Sequence, residues 1–249
     1  STVTVTTTTS APVAANDAAN TPANTTAVVA ILANDADPDG TLATNTVDLN
    51  QTLTGRQNQL VVPGQGTFTV SGSGILSFVP LTGYTGTSQV TYIVRDNTNV
   101  ASNVATVTVN VGPLTANETT STPPNLTVTN AVTANDTDAN GINVATVDLD
   151  PLTAGIQASR TLTGQGVFSV DALGVVTFVP DANYTGSAFI TYTVQDNTGA
   201  TSTTGRWTVS IGPVAVDDAV SIAYNAASVA VNITTNDPDV TIINRASVD

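Results

Sequence analysis

The 249-residue chain has nineteen acidic residues against five arginines, a formal net charge of −14, and it contains no cysteine, methionine, histidine or lysine. The negative charge disfavours nucleic acid and anionic lipid as partners and favours cations. The missing side chains are among those that most often catalyse reactions near neutral pH, so we expect a protein that is not an enzyme. No apolar stretch approaches the ~20 residues needed to span a bilayer, so we expect no membrane insertion in this segment.

The sequence repeats at a spacing of about one hundred residues. Gln65-Gly66-Thr67-Phe68 returns as Gln165-Gly166-Val167-Phe168, and Gly112-Pro113 returns as Gly212-Pro213. A unit of this length can bury a core of its own, so each copy should fold independently. The repeat predicts four segments: the last strand of a preceding repeat (1–10), a first repeat (11–112), a second repeat (113–212) and a partial third repeat (213–249).

Taken in chain order, the first copy shows a second strand over 27–33, an acid-rich loop over 34–40, a penultimate strand ending at Arg95 and a last strand over 106–111. Val90, Tyr92 and Val94 interleave with Thr91 and Ile93, which is the pattern of a half-buried strand. No segment shows helical spacing of apolar residues. About seven short, glycine-punctuated strands per copy predict an all-β fold of tandem Ig-like (cadherin-like) β-sandwich repeats in an extended array, with a barrel as the alternative.

Aromatic residues are few and recur in the repeat. Tyr84 and Tyr184 each precede the penultimate strand in a Pro-x-x-x-Tyr-Thr-Gly segment, which predicts a ring that closes one end of the sandwich. Trp207 and Tyr92 fall on rows predicted to face inward. Core packing is therefore favoured over a second hypothesis, in which these rings form a sugar-binding platform.

The acidic residues cluster in loops that strand direction should bring to the same end of each copy. Carboxylates placed close together repel one another unless a cation lies among them, and calcium accepts many oxygen ligands in flexible geometry. Turn formation by aspartate and asparagine is the alternative explanation. The predicted calcium ligands are Asp17, Asp35, Asp37, Asp39 and Asp96 in the first copy, Glu118, Asn135, Asp136, Asp138, Asn140 and Asp196 in the second, and Asp217, Asp218, Asp237 and Asp239 in the third.

The first acid-rich loop also matches the opening of an EF-hand loop, with aspartates at positions one, three and five and Gly40 at position six. Position twelve is Thr46 instead of the bidentate glutamate, and no helices are predicted on either side. We therefore reject an EF-hand and keep the prediction of an oxygen-rich cation loop.

Three motifs together carry a family resemblance: Asn-Asp-x-Asp-x-Asp-Gly at 34–40, the Pro-x-x-x-Tyr-x-Gly corner, and Tyr-x-Val-x-Asp-Asn at 92–97. They resemble the cadherin-like and Ig-like tandem repeats of large bacterial surface adhesins. The resemblance implies Ig-like sandwiches joined into long stalks or fibres, with calcium at or near the junctions. Asn140 replaces the third aspartate of the loop in the second copy, so cation occupancy should differ among copies.

The sequence thus predicts a structural stalk or filament segment of an extracellular, cell-surface bacterial adhesin. Its expected partners are calcium, neighbouring repeats of the same chain and an adhesive target that the sequence does not identify. Two alternatives stay open: a fibre subunit that assembles head-to-tail by intermolecular strand complementation, and a carbohydrate-binding module. Hydrolysis by paired carboxylates is disfavoured, because Asp48 and Asp148 are the only recurrent acids away from the clustered loops, and one such acid per copy makes no pair.

Overall fold

A computed structural model describes residues 9–213, and within that range every regular element is a β-strand. The first eight strands are β1 (Asp17–Thr21), β2 (Ala27–Ala30), β3 (Leu42–Asp48), β4 (Gln59–Val62), β5 (Gly66–Val70), β6 (Ile75–Pro80), β7 (Gly86–Asp96) and β8 (Ala105–Val111). The second eight are β9 (Glu118–Thr122), β10 (Val128–Ala131), β11 (Ile142–Asp148), β12 (Ser159–Leu162), β13 (Gly166–Val170), β14 (Val175–Pro180), β15 (Gly186–Asp196) and β16 (Gly205–Ile211).

Strand pairing groups the described strands into two sandwiches, one of β1–β8 and the other of β9–β16. Each sandwich contains two four-stranded sheets. In the first sandwich the strand orders are β1-β8-β7-β3 and β2-β6-β5-β4, and in the second they are β9-β16-β15-β11 and β10-β14-β13-β12. The first strand of each sandwich pairs in parallel with the last one. The prediction of an all-β fold of tandem sandwiches is confirmed.

Two details of the predicted strands differ from the structure. Each sandwich has eight strands, where the sequence predicts about seven. The second strand ends at Ala30 and does not continue to Ala33, because the Ala33 amide donates to the carbonyl of Ala30 at 3.1 Å and closes a turn.

The predicted inward rows form the cores. Val90, Tyr92 and Val94 are buried along β7, and Phe68 packs on Phe78 with ring centroids 4.4 Å apart. These β-branched and aromatic side chains suit a pleated surface with one face buried, and each contributes about 1.5–3 kcal/mol when fully buried. Alternation of apolar and polar residues therefore decides which face of each sheet is internal.

The second core repeats the arrangement and adds the single tryptophan. Phe168 and Phe178 lie 4.3 Å apart between centroids, and Trp207 meets Phe168 edge-on at 5.6 Å. The Trp207 side chain is fully buried, and its indole N–H donates to Thr120 Oγ1 at 2.8 Å. The hypothesis of a sugar platform at this ring is wrong.

The two corner tyrosines have a structural role. Tyr84 is half-buried, meets Phe78 edge-on at 6.3 Å and donates its hydroxyl hydrogen to the carbonyl of Thr87 at 2.8 Å. Tyr184 makes the equivalent hydrogen bond to the carbonyl of Ser187 at 3.0 Å.

Most of the predicted strand over 1–10 and nearly all of the partial third repeat over 213–249 lie outside the described residues. Over residues 9–213, no helix is long and apolar enough to cross a membrane.

Candidate cation-binding loops

The acid loop, residues 34–40, and the return turn, residues 96–100, lie side by side in the first sandwich. The Asn97 amide donates to the carbonyl of Thr41 at 3.1 Å, and the Thr41 amide donates to Asn97 Oδ1 at 3.3 Å. A backbone bridge between Val13 and Ala36 holds the acid loop against the incoming chain. The structure therefore places these two loops at the same end, as strand direction predicts.

Asp17 and Asp35 share one hydroxyl group, that of the buried Tyr92. The hydroxyl oxygen lies 3.0 Å from each oxygen of Asp35 and 3.2 Å from Asp17 Oδ2. It also lies 2.9 Å from the carbonyl of Ile31. A phenol has one hydrogen to donate, so these acceptors compete for it.

This crowding perturbs the acids. Burial raises the pKa of Asp17 from its ordinary 3.8 to about 6, the hydrogen bond from Tyr92 works against that rise, and the charge of Asp35 adds to it. Burial likewise raises the pKa of Asp35, against hydrogen bonds from the Ala15 amide and Tyr92. Burial, followed by the charges of Asp35 and Asp17, also raises the pKa of Tyr92.

Asp37 has one oxygen that the described residues leave without a hydrogen-bond partner. Its Oδ1 accepts the Asp39 amide at 3.4 Å, whereas its Oδ2 is buried and has no partner within residues 9–213. A Cβ added at Gly40 would lie 2.6 Å from both Asp37 Oδ2 and Asn97 Oδ1. A side chain at position 40 would therefore have to displace both of these oxygens. Asp39 is exposed and accepts the Ser10 amide at 2.8 Å.

Asp96 organises the return turn. Its side chain is buried, and Oδ1 accepts the amides of Thr98 and Val100 at 2.8 and 2.7 Å. Burial opposes ionisation, but the hydrogen bonds from Val100, Thr98 and Asn99 outweigh it and lower the pKa of Asp96. Turn chemistry accounts for this residue.

The corresponding loops of the second copy repeat this geometry. Asp138 Oδ1 accepts the Asn140 amide at 2.6 Å, and Asp138 Oδ2 is buried without a partner in the described part of the chain. Asp196 Oδ1 accepts the amides of Thr198 and Ala200 at 2.9 and 2.8 Å, and its Oδ2 accepts Asn140 Nδ2 at 3.3 Å. Burial raises the pKa of Asp138, and the charge of Asp196 adds to it.

The remaining predicted ligands of the second copy occupy separate places. Glu118 opens β9, and its Oε1 accepts the hydroxyl of Tyr192 at 3.2 Å, which matches the contact between Asp17 and Tyr92. Asn135 is exposed and Asp136 is half-buried in the loop that follows β10. Asp217, Asp218, Asp237 and Asp239 lie outside the described residues.

The predicted convergence of all five carboxylates of the first copy is wrong in its geometry. Within residues 9–213, no three acidic side chains come together as a group that could hold a metal ion. Backbone amides and hydroxyls turn Asp39, Asp96 and the Asp17–Asp35 pair towards different partners. Coordination of a cation by these residues stays a prediction.

Two features of the site were not predicted. The sequence predicted only a core role for Tyr92 and Tyr192, whereas each hydroxyl also contacts an acid at the start of the first strand of its copy. The available signal was that the tyrosine and the acid both recur in the second copy. Asp48 and Asp148 order a turn, because Oδ1 of each accepts two backbone amides at 3.0 Å. Their recurrence with Gln57 and Gln157 nine residues later was the available signal.

Comparison with solved structures finds matches at low similarity. They include the eight N-terminal Ig domains of Down syndrome cell adhesion molecule (TM-score 0.30, 13% identity, 82% of this chain and 24% of that chain). Drosophila N-cadherin EC1-4 matches with a TM-score of 0.27 and 12% identity over 81% of this chain and 48% of that one. An I-band fragment of titin, I67-I69, matches with a TM-score of 0.29 and 8% identity over 81% of this chain and 66% of that chain. A search of curated proteins gave no significant match.

Family models match both copies. A model of the bacterial cadherin-like domain matches residues 9–113, and a model of the bacterial Ig domain matches residues 110–210. Domains of these two families are typically structural and non-enzymatic, and they are typical of extracellular surface proteins. Together the matches identify residues 9–210 as a bacterial cadherin-like domain and a bacterial Ig domain in tandem.

Proposed function

We propose that this chain is a segment of a bacterial cell-surface stalk whose acid loops bind calcium and are stiffened by it. The observation that carries the proposal occurs in both copies. Asp37 Oδ2 and Asp138 Oδ2 occupy equivalent positions, and each is a buried carboxylate oxygen without a partner in the described residues. A buried charged group without a partner is costly, and a bound cation would remove that cost.

The donor chemistry fits calcium. The first copy offers Asp37 Oδ2 and the Asn97 amide oxygen, which lie close together beside Gly40, and the second offers Asp138 and Asp196 near Asn140. These are oxygen ligands of the kind that calcium accepts at six to eight positions, with carbonyl groups and water completing the set. Calcium, when bound, would supply the positive charge that neutralises these carboxylates.

The proposed consequence is mechanical. The connection between the copies, Gly112-Pro113, is too short to act as a free tether. A cation that fixes the loops near such a junction would restrict bending and leave the stalk extended. A surface stalk also requires no catalytic residues, in agreement with the composition.

The test is removal of calcium. Adding calcium to chelated protein should raise the melting temperature and lower interdomain bending seen by small-angle X-ray scattering. Unchanged melting and scattering profiles would exclude calcium as the stiffener.

Glycine substitutions make this test specific to the loop. Gly40→Ala should weaken the calcium-dependent rise in melting temperature, because the new Cβ would displace Asp37 Oδ2 and Asn97 Oδ1. Gly72→Ala is the matched control, since a Cβ at Gly72 would meet nothing within 4 Å and that residue does not have the left-handed backbone. Equal calcium responses in the two variants would exclude the acid loop as the binding site.

Neither alternative function is supported by the residues on which the sequence based it. Strand complementation depends on residues 1–8 and 214–249, and the length of the mature chain in its native source would test it. A carbohydrate-binding module based on Trp207 and Tyr92 is disfavoured, because both side chains are fully buried.

A further inference from the structure

An open groove of about 380 Å³ lies on the first sandwich where β3 pairs with β7. Its lining is polar and includes two of the five arginines of the chain. The residues that line it are Asn45, Thr46, Asp48, Gln51, Leu53, Gly55, Arg56, Ile93 and Arg95. A volume of this size falls within the range of small-ligand sites in proteins.

An irregularity in β3 shapes the groove. The pairing register between β3 and β7 shifts between Ala43 and Asp48. At the shift, the hydroxyl of Thr46 donates to the carbonyl of Ala43, and Thr46 Oγ1 accepts the Arg95 amide at 2.9 Å. The Arg95 amide thus donates to a side-chain hydroxyl instead of a backbone carbonyl of the neighbouring strand. Irregularities of this kind commonly redirect side chains near functional sites.

Each of the two arginines donates one hydrogen bond to a backbone carbonyl, which holds its side chain in place. Arg56 Nε donates to the carbonyl of Val47 at 2.8 Å, and Arg95 Nη1 donates to the carbonyl of Asn99 at 3.1 Å. A guanidinium has five N–H donors in a fixed fork, so each keeps most of its donors for a ligand. Pre-positioned side chains lose less entropy when a ligand binds.

Within residues 9–213, neither guanidinium forms an ion pair with an acidic side chain; the ion pair found there joins Arg160 and Asp150. Asp48 also lines the groove, but its Oδ1 is engaged by the amides of Asn50 and Gln57. Two arginines and one aspartate give the groove a formal charge of +1, whereas the whole chain carries −14. A local reversal of charge in an acidic protein favours an anionic group at that point.

The second copy lacks this feature. Ile156 and Gln195 stand at the positions that correspond to Arg56 and Arg95, while Thr146 and Asp148 match Thr46 and Asp48. Thr46 and Asp48 therefore recur in the sequence of the second copy, and the two arginines do not. The arginine pair is a property of the first copy and is not needed to build the fold.

We propose that this groove, which we call the arginine groove, binds an acidic sugar through its carboxylate. Arg56 and Arg95 would hold the carboxylate by charge-assisted hydrogen bonds, and Asn45 and Gln51 would contact sugar hydroxyls. The mostly polar lining suits a hydroxylated ligand better than an apolar one. The charge of −14 disfavours long polyanions, so a short ligand of a few sugar units is expected.

Isothermal titration of the full chain with trigalacturonic acid tests the proposal, with its fully methyl-esterified form as the uncharged ligand. The buffer contains a chelator, so that calcium cannot bridge the sugar to the acid loops. Trigalacturonic acid should bind at least about tenfold more tightly than the ester, since only a carboxylate makes charge-assisted hydrogen bonds to arginine. Equal binding of the two ligands would overturn the proposal.

The variant Arg56→Gln/Arg95→Gln should lose about tenfold in affinity or more for trigalacturonic acid. Arg160→Gln/Arg206→Gln changes the net charge by the same amount elsewhere and should change affinity by less than about twofold. Equal losses would overturn the assignment to this groove. The single variant Arg56→Gln changes an exposed side chain and keeps the test available if the double variant does not fold.

Two further titrations test the ligand class. Inorganic sulfate and a triglutamate peptide should each bind more weakly than trigalacturonic acid, because neither presents sugar hydroxyls to Asn45 and Gln51. If sulfate binds as tightly, the groove is a general anion site. If triglutamate binds as tightly, an acidic protein segment is the better occupant. Either result would overturn the sugar assignment.

Discussion

Replacing Tyr92 with phenylalanine isolates the contribution of the shared hydroxyl. The ring of Tyr92 is fully buried, so Tyr92→Phe keeps the packing and removes the donor to Asp17 and Asp35. A hydrogen bond to a charged group contributes about 1.5–3 kcal/mol, and the loss leaves part-buried carboxylates without it. We expect a loss of about 2 kcal/mol in the free energy of unfolding, which corresponds to roughly 8–16 °C in the melting temperature of a domain of this size.

Differential scanning calorimetry of the full chain in chelator measures this shift, and the fluorescence of Trp207, the only tryptophan, reports the second sandwich separately. Tyr92→Phe should lower one transition and leave the fluorescence midpoint in place. Tyr192→Phe should lower the fluorescence midpoint, because Tyr192 donates to Glu118 at 3.2 Å in the second sandwich.

Tyr84→Phe is the matched control. It also removes one tyrosine hydroxyl, but that hydroxyl bonds a neutral carbonyl at 2.8 Å, so the expected loss is about 1 kcal/mol or less. The reasoning is refuted if Tyr92→Phe costs no more than Tyr84→Phe.

Two further predictions concern pH and glycine. The pKa of Asp17 is about 6 in the folded protein and ordinarily 3.8, so the folded state binds more protons between these pH values. In chelator, the free energy of unfolding should therefore fall as pH rises through this window. Asp17→Asn should reduce this pH dependence in a series of urea-unfolding measurements. An unchanged slope in that variant would assign the dependence to another group. Gly166→Ala should destabilise the second sandwich by more than about 2 kcal/mol, because its Cβ would lie 2.3 Å from the carbonyl oxygen of Val179 and its φ is +145°. Gly164 has a φ of +75°, and a Cβ added there would meet nothing within 4 Å, so Gly164→Ala should cost only about 1 kcal/mol in a urea titration. Equal costs for the two variants would show that backbone strain, and not the clash, causes the destabilisation.

The sequence predicted the core better than the site. Alternation along β7 and β16 identified Tyr92, Val94 and Trp207 as internal, since in a strand the side-chain direction follows from position alone. No comparable rule predicts the direction of acidic side chains in loops. Asp96 is buried although it is charged, because the return turn places the amides of Thr98 and Val100 against it.

Distances along the chain explain why the site was harder to predict. Tyr92 lies 75 residues from Asp17 and 57 from Asp35, and their meeting at one hydroxyl depends on how the two sheets pack. The direction of neighbouring strands predicted that the loops share one end, but it did not predict which amide or hydroxyl each carboxylate would accept. That choice prevents three acids of the described residues from forming one group.

The amino-acid sequence by itself determined the all-β class, the inward rows and the tandem family, because period-two alternation and repeated motifs are local properties. Only the tertiary structure decided that Tyr92 joins two carboxylates, that Asp37 and Asp138 each bury an oxygen without a described partner, and that Arg56 and Arg95 line the same groove. These features depend on contacts between residues far apart in the chain, whose geometry is set by sheet packing and turn conformation.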